Sequence, residues 1–196
     1  MLDANDLGQL HSKFISLIPR CGPAREKHLV TTVETLGERL VMSPAGVSEK
    51  QVGAEPGAWL STTIDVTRRM MRLKQSMEVE VPLESLYLVG MFHNLGFVGG
   101  PEPEQDYLLP ESDPYKLRHG WRYSYNSALP KMSVAHRSLY LLQHFGVQLT
   151  MEEWMAIAIC GGPQREENRF YVGAEPTLAL LLSQARRWVF HNQDAS

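Results

Sequence analysis

The sequence predicts an all-α fold of about seven helices with little strand, and two patterns support this prediction. Apolar residues recur at three- and four-residue intervals over most of the chain, which is the spacing of one face of an α-helix. Proline, glycine or capping residues mark the ends of these stretches. Hydrophobic residues make up 43% of the 196 residues and charged residues 21%, which is typical of a globular domain. We therefore expect a single domain with a sizeable core over residues 1–196.

The first half of the chain contains four of the predicted helices. The first ends at Pro19 and the second begins at Pro23, because proline fits the first turn of a helix but not its interior. The third follows the turn signal Glu55-Pro56-Gly57 and ends near Lys74. The fourth, Pro82–Phe92, is apolar on nearly every face, so it is predicted to be buried.

The second half begins with a long segment rich in Pro, Tyr, Asp and Ser, residues 101–130. This composition predicts an ordered loop with room for a short hairpin. A helix follows that begins at Lys131 or Ser133. The run Thr150-Met-Glu-Glu153 matches a capping box for the next helix, and the last helix is predicted from Pro176 to about Phe190.

Charge and cysteine usage narrow the range of partners and compartments. The net charge of -3 and the pI near 6.2 predict no general nucleic-acid binding and no attraction to an anionic membrane. The two cysteines, Cys21 and Cys160, lack the spacing of a zinc knuckle or a disulfide framework. The polar N-terminus does not resemble a secretory signal, and the longest apolar stretch, Leu83–Phe92, is too short to span a bilayer. We expect a cytoplasmic protein without a membrane partner.

Most familiar catalytic motifs are absent from the sequence, including glycine-rich phosphate loops, GxSxG and HExxH. What remains is His93-Asn94 at the end of the buried helix, within Leu-Val-Gly-Met-Phe-His-Asn-Leu-Gly, residues 88–96. This segment resembles HD phosphohydrolases, in which an apolar helix ends in a His-Asp pair followed by Leu or Ile and Gly.

The resemblance covers roughly Leu36 to Val189. Over this range the sequence is similar to HD proteins carried by phages and conjugative elements. Its further segments are Tyr107–Ser112, Tyr123–Asn126, Met132–Gln143 and Leu149–Ile157. It implies an HD-like helical bundle over residues 36–190 with a long loop over the former active site. Residues 1–35 would then form an N-terminal helical extension.

At the metal-binding positions the chain departs from the family. Thr62 stands where the resemblance implies a ligand histidine, Asn94 where it implies the aspartate of the pair, and Arg186 where it implies the last aspartate. Cys160 and Gly161 replace two further polar groups. A neutral amide is a poor ligand for divalent cations, and a guanidinium repels them. Because the HD mechanism needs a metal to generate hydroxide, the resemblance implies that hydrolysis is lost. We predict no metal and no other cofactor.

A ligand site is predicted at six residues. Arg186 would be the main cation for a phosphate group, with His93 and Asn94 as hydrogen-bonding neighbours. Thr62 and His136 resemble further positions of the family pocket. The sixth residue, Arg118, belongs to a basic run interleaved with aromatic residues, a pattern that can stack bases and bind phosphates.

A purely structural interpretation stays open for these residues. Arg186 lies at the border of the apolar stripe of the last helix, so its side chain points either into the pocket or into solvent. His93 fits a core histidine bonded to a backbone carbonyl, and Asn94 fits a helix end. His136 and Arg118 fit an ordinary solvated surface.

The leading functional hypothesis is a catalytically inactive HD-fold protein that holds a nucleotide-like or other phosphate-bearing small molecule, or that blocks a host protein. The phage-like resemblance would make such an inhibitor a counter-defence factor. The first alternative is a metal-dependent nucleotide phosphohydrolase that uses His93, His136 and Cys160 around an altered metal site. The second is a pure protein-interaction module with a filled pocket.

Overall fold

The computed structural model describes residues 3–103 and 105–191. About 61% of these residues are helical, counting the 3₁₀ helices Ile18–Cys21, Leu95–Phe97 and Glu166–Tyr171. The helices are α1 (Ala4–Leu17), α2 (Pro23–Met42), α3 (Ala58–Ser76), α4 (Leu83–Phe92), α5 (Pro114–Arg118), α6 (Val134–His144), α7 (Met151–Ala158) and α8 (Thr177–His191). Two short strands, β1 (Leu108–Pro110) and β2 (Tyr123–Tyr125), pair antiparallel. The predicted all-α class is confirmed. No helix in these ranges has the length and apolar character needed to cross a membrane.

The ends of the later helices follow local capping signals. Ser133 caps α6, since its side-chain oxygen accepts a hydrogen bond from the His136 N–H at 3.2 Å. Of the two predicted starts, Ser133 is therefore the one that the structure uses. The capping box of α7 is confirmed, because Thr150 and Glu153 each bond the backbone N–H of the other.

Helix α2 is broken at Gly37, where φ is +51° and ψ is -130°. Only glycine adopts this conformation at low cost. The helix crosses the boundary predicted at residue 36, and Phe14 and Leu29 from the N-terminal segment are fully buried in the same hydrophobic core as the later helices.

Helices α3 and α4 lie close together at the centre of this core. A Cβ atom at Gly90 would lie 2.6 Å from the Thr67 hydroxyl, so the two helices approach closely only because residue 90 is glycine. Trp59 on α3 is completely buried, and its ring centroid lies 5.3 Å from that of Phe14. Helix α8 packs against α3 and α7.

Two arginines hold the ends of the long loop, residues 101–130. Arg39 on α2 donates to the Gly100 carbonyl at 3.2 Å, just before the loop. Arg137 on α6 donates to the Pro130 carbonyl at 2.7 Å. Its guanidinium also lies 4.9 Å from the centroid of the Tyr107 ring. The described residues of the loop, 101–103 and 105–130, contain both the β1–β2 hairpin and α5.

Candidate functional site

The residue that follows α4 is His93, whose side chain is completely buried. Its Nδ1 lies 3.0 Å from the Gly90 carbonyl and 3.2 Å from the Val89 carbonyl. Because a carbonyl only accepts hydrogen bonds, Nδ1 carries the proton. Nε2 has no hydrogen-bond partner among the described residues. Burial, reinforced by the nearby Arg186 cation, holds the pKa of His93 well below its usual 6.5, so the imidazole is neutral.

Helix α6 and Trp59 hold the end of α4 in place. The Ser138 hydroxyl accepts from the Gly96 N–H at 2.8 Å and lies 2.9 Å from the His93 carbonyl, to which it can donate. A Cβ atom at Gly96 would collide with the backbone of α6. The Asn94 carbonyl accepts from the indole N–H of Trp59 at 2.8 Å. The backbone of His93 and Asn94 is therefore held by side chains from two helices, Ser138 of α6 and Trp59 of α3.

Arg186 reaches this buried end from α8 and is half-buried. Its Nη1 donates to Asn94 Oδ1 at 2.5 Å and lies 3.7 Å from the Cys160 sulfur. Its Cζ lies 5.5 Å from the centroid of the Phe190 ring. The tip of the side chain therefore points toward the α4 end, as the pocket interpretation requires. Among residues 3–103 and 105–190, neither Nε nor Nη2 donates a hydrogen bond to protein, and the guanidinium forms no ion pair.

Thr62 and Cys160 stand at two further positions where the family resemblance implies polar groups of the pocket. The Thr62 hydroxyl lies 2.7 Å from the Ala58 carbonyl and 3.1 Å from the Trp59 carbonyl, so its proton bonds its own helix. Burial raises the pKa of the Cys160 thiol, an effect that the Arg186 cation opposes without reversing. The thiol is therefore protonated at neutral pH.

These side chains do not fit a divalent cation. Such a cation prefers anionic or freely available oxygen, nitrogen or thiolate ligands. His93 and Asn94 are neutral, Cys160 is a thiol, and the charged side chains that act on them, Arg186 and Arg165, are both cations. Throughout the described chain, no group of three or more His, Cys, Asp or Glu side chains is placed to hold a metal ion.

Two cavities share Arg186 and Phe190 among their lining residues. The larger has a volume of about 500 Å³ and the smaller about 340 Å³. Residues of the larger cavity include Cys160, Gly161, Gly162, Gln184 and Arg187. Residues of the smaller include Lys50, Phe97 and Tyr125. A further cavity of about 730 Å³ lies between residues 49–56 and Tyr123, and none of the six predicted site residues lines it.

The structure brings only some of the six predicted residues to this position. Arg186 and Asn94 are in direct contact, whereas His93 and Thr62 are buried and line neither of the two cavities. His136 on α6 and Arg118 on α5 are exposed and do not line them either. The described part of the chain therefore does not group His136 with His93 and Cys160.

Other residues of the site were not singled out from the sequence. Phe190 follows Arg186 by four residues on one helix, a spacing that places two side chains side by side and that was available as a signal. Lys50 lies in a loop far away in the sequence and gave no such signal. Tyr125 was noted only as one of several aromatic residues of the long loop.

The chain matches no family model, no curated protein and no solved structure. The HD resemblance stays a prediction based on the motifs around residues 88–96. Function must accordingly be argued from the site itself rather than from the fold.

Proposed function

We propose that this chain is a catalytically inactive, HD-like protein that binds a phosphate-bearing, nucleotide-like ligand at Arg186. The observation that carries the proposal is that Arg186 lines two cavities while its Nε and Nη2 are unused by the described residues. Phosphate oxygens accept two parallel hydrogen bonds from a guanidinium. The arginine is charged at every physiological pH, so its positive charge is available to bind an anion throughout that range.

The side chains in contact with the Arg186 guanidinium are uncharged, which supports an anionic ligand. Asn94 Oδ1 orients the guanidinium without neutralising it, and the Cys160 thiol beside it is protonated. Glu175 lines the larger cavity as well, but among residues 3–103 and 105–190 it forms no ion pair with Arg186. A partly buried cation attracts an anion more strongly than a cation in water does. Lys50 adds a positive charge to the smaller cavity and Arg187 to the larger.

The same residues support binding without turnover. The resemblance implies a metal held by histidine and aspartate at positions that contain Thr62, Asn94 and Arg186 in this chain. His93 is a buried neutral imidazole whose proton bonds backbone carbonyls. Neither it nor the protonated Cys160 is an activated nucleophile.

Blocking of a partner protein is a second candidate, and one observation favours it. The side chain of Phe170 is 89% exposed and that of Trp188 52% exposed. Exposed aromatic residues are enriched where proteins bind one another. A screen that identifies no small ligand, followed by loss of partner inhibition in Phe170→Ala, would favour this function.

The direct test is a thermal-shift and calorimetry screen of inorganic pyrophosphate and of linear and cyclic nucleotides. At least one phosphate-bearing compound should stabilise the wild type. An arginine–phosphate interaction is typically worth ~1.5 to 3 kcal/mol, so Arg186→Ala should weaken binding by roughly ten- to hundred-fold. The matched variant Arg72→Ala removes an exposed arginine of α3 and should bind as the wild type does. Equal binding by wild type and Arg186→Ala would refute the proposal.

Inactivity has its own measurement. Purified protein should release no phosphate from nucleoside mono-, di- or triphosphates in the presence of Mg²⁺, Mn²⁺, Ni²⁺, Fe²⁺ or Zn²⁺. Elemental analysis should detect none of these metals at one equivalent. Phosphate release that His93→Ala abolishes would show instead that the chain is an enzyme.

A further inference from the structure

The two cavities beside Arg186 differ in chemistry. The smaller one is lined by the rings of Phe97, Tyr125 and Phe190. In the larger one Phe190 is the single aromatic residue in the lining, and the other lining side chains are mostly small or polar. Aromatic residues are thus concentrated in the lining of the smaller cavity.

We infer that these cavities form one two-lobed site for a mononucleotide with more than one phosphate. The base lies in the smaller, aromatic lobe, and the phosphate chain extends from Arg186 into the larger lobe. This inference rests on the proposed function, because it assumes that Arg186 binds phosphate. Each lobe lies within the range of ~300 to 1,000 Å³ that is usual for small-molecule sites.

Tyr125 is the residue that distinguishes the aromatic lobe. It is 60% exposed although it is a large aromatic residue. It is nevertheless fixed in place, because it pairs with Leu108 in the hairpin and its ring centroid lies 5.3 Å from that of Tyr107. Tyr107 in turn packs against Phe97, with centroids 6.2 Å apart, and beneath the Arg137 guanidinium. A rigid exposed ring at a cavity wall is well suited to stack on a base.

The larger lobe suits a phosphate chain. Arg187 follows Arg186 directly and lines this lobe, and Gly161 and Gly162 contribute backbone to its wall. The lobe also includes Glu175, whose carboxylate accepts a hydrogen bond from the Gly173 N–H at 2.7 Å and is thereby held by its own loop. A second base would find no ring platform in this lobe other than Phe190. A single base with a chain of phosphates therefore fits better than a dinucleotide.

Calorimetry with four probes tests the assignment of the base: pyrophosphate, ADP, GDP and UDP. At least one diphosphate nucleotide should bind the wild type more tightly than pyrophosphate does. Base stacking on an aromatic side chain is sequence-tolerant and substantial, so Tyr125→Ala should weaken that nucleotide about five- to hundred-fold. Pyrophosphate should keep its wild-type affinity. Tyr125→Phe, which retains the ring, should bind the nucleotide nearly as the wild type does, and thermal melting of both variants checks their fold.

Failure of this inference can be told apart from failure of the proposed function. If Arg186-dependent binding of pyrophosphate persists but Tyr125→Ala leaves the affinity of every nucleotide unchanged, the base assignment is wrong and the phosphate site stands. Equal weakening of pyrophosphate and nucleotide by Tyr125→Ala would also overturn the assignment. If no probe binds, both are wrong.

Alkylation of Cys160 tests the direction of the phosphate chain. Cys160 lines the larger lobe, whereas Cys21, the other cysteine, is completely buried elsewhere in the core. A saturating diphosphate nucleotide should slow the reaction of Cys160 with iodoacetamide several-fold, as followed by peptide mass spectrometry. Nucleotide binding that leaves the Cys160 reaction rate unchanged would overturn the proposed orientation.

Discussion

The end of α4 and the outer part of α8 meet at the contact between Asn94 and Arg186, yet the two regions differ in construction. Around His93 the side chains are buried, and their polar groups bond mainly to backbone. Along α8, Arg186, Arg187 and Phe190 are at least partly exposed and line cavities. The histidine that the HD resemblance retains thus belongs to the core, whereas the residue that departs most from the family pattern faces the cavities. Under the proposed function, the ligand would therefore contact α8 rather than the α4 end.

The largest expected effect tests whether the α4 end is true core. Trp59→Ala removes a completely buried indole and its hydrogen bond to the Asn94 carbonyl. The free energy of unfolding should fall by about 3 to 5 kcal/mol, as measured by urea denaturation. Trp188→Ala, at a residue of α8 that is 52% exposed, should change it by about 0.5 kcal/mol or less. Similar losses in both variants would remove the distinction between the two regions.

A smaller loss is expected where α6 fastens the end of α4. Ser138→Ala leaves the buried Gly96 N–H without its acceptor. An unsatisfied buried donor costs about 1 to 3 kcal/mol, so the free energy of unfolding should decrease by that amount. The control is Ser127→Ala, at an exposed position in the long loop. A wild-type denaturation midpoint for Ser138→Ala would contradict this prediction.

The contact between Asn94 and Arg186 can be tested by adding a negative charge at residue 94. Asn94→Asp places a carboxylate beside Arg186, and this anion should compete with phosphate for the guanidinium. Pyrophosphate affinity should fall about tenfold or more, which corresponds to about 1.4 kcal/mol. Asn94→Ala adds no charge and should lower the affinity less. Calorimetry at pH 7 in which Asn94→Asp binds as tightly as the wild type would show that ligand and Asn94 do not share the guanidinium.

The smallest effect concerns pH and the buried His93. Its pKa in the folded protein lies well below the usual 6.5, so below about pH 6.5 the unfolded chain binds a proton that the folded chain does not. Titration of His93 therefore leaves the free energy of unfolding unchanged above about pH 6.5 and lowers it as the pH falls below that value. The slope is at most about 1.4 kcal/mol per pH unit for one proton.

His93→Gln should remove that slope from denaturation curves recorded between pH 6.5 and 5. His136→Gln changes an exposed histidine and should retain the wild-type slope. The same pH dependence in the wild type and in His93→Gln would mean that His93 is not the group responsible.

The helices that rest on local signals were predictable from sequence. The fourth helix was predicted over Pro82–Phe92 and is observed over Leu83–Phe92, because its apolar run and its proline are local features. Helix α5 was missed, although Asp113 and Pro114 form a start signal, since it has no buried residue and hence no apolar periodicity. The break at Gly37 was missed as well, because glycine is also tolerated inside continuous helices.

The candidate site was less accessible to sequence reasoning. The direction of Arg186 depends on Asn94, 92 residues away, and no helical pattern contains that information. The environment of Thr62 was easier to anticipate, since a threonine inside a helix often bonds the carbonyl four residues earlier. The smaller cavity arises where Phe97 and Tyr125 meet α8, and the larger where residues 160–164 meet α8, which only the three-dimensional structure shows.

The two arginines at the ends of the long loop bear on how freely its sequence can vary. Arg39 and Arg137 bind the carbonyls of Gly100 and Pro130, which are main-chain groups present whatever the side chain. Substitutions of side chains between these two anchors therefore leave both hydrogen bonds available. The loop can exchange the residues that it presents beside Arg186, Tyr125 among them, while its two ends stay in place. Under the proposed function, ligand specificity would then be able to diversify in this loop without changes to the helical scaffold.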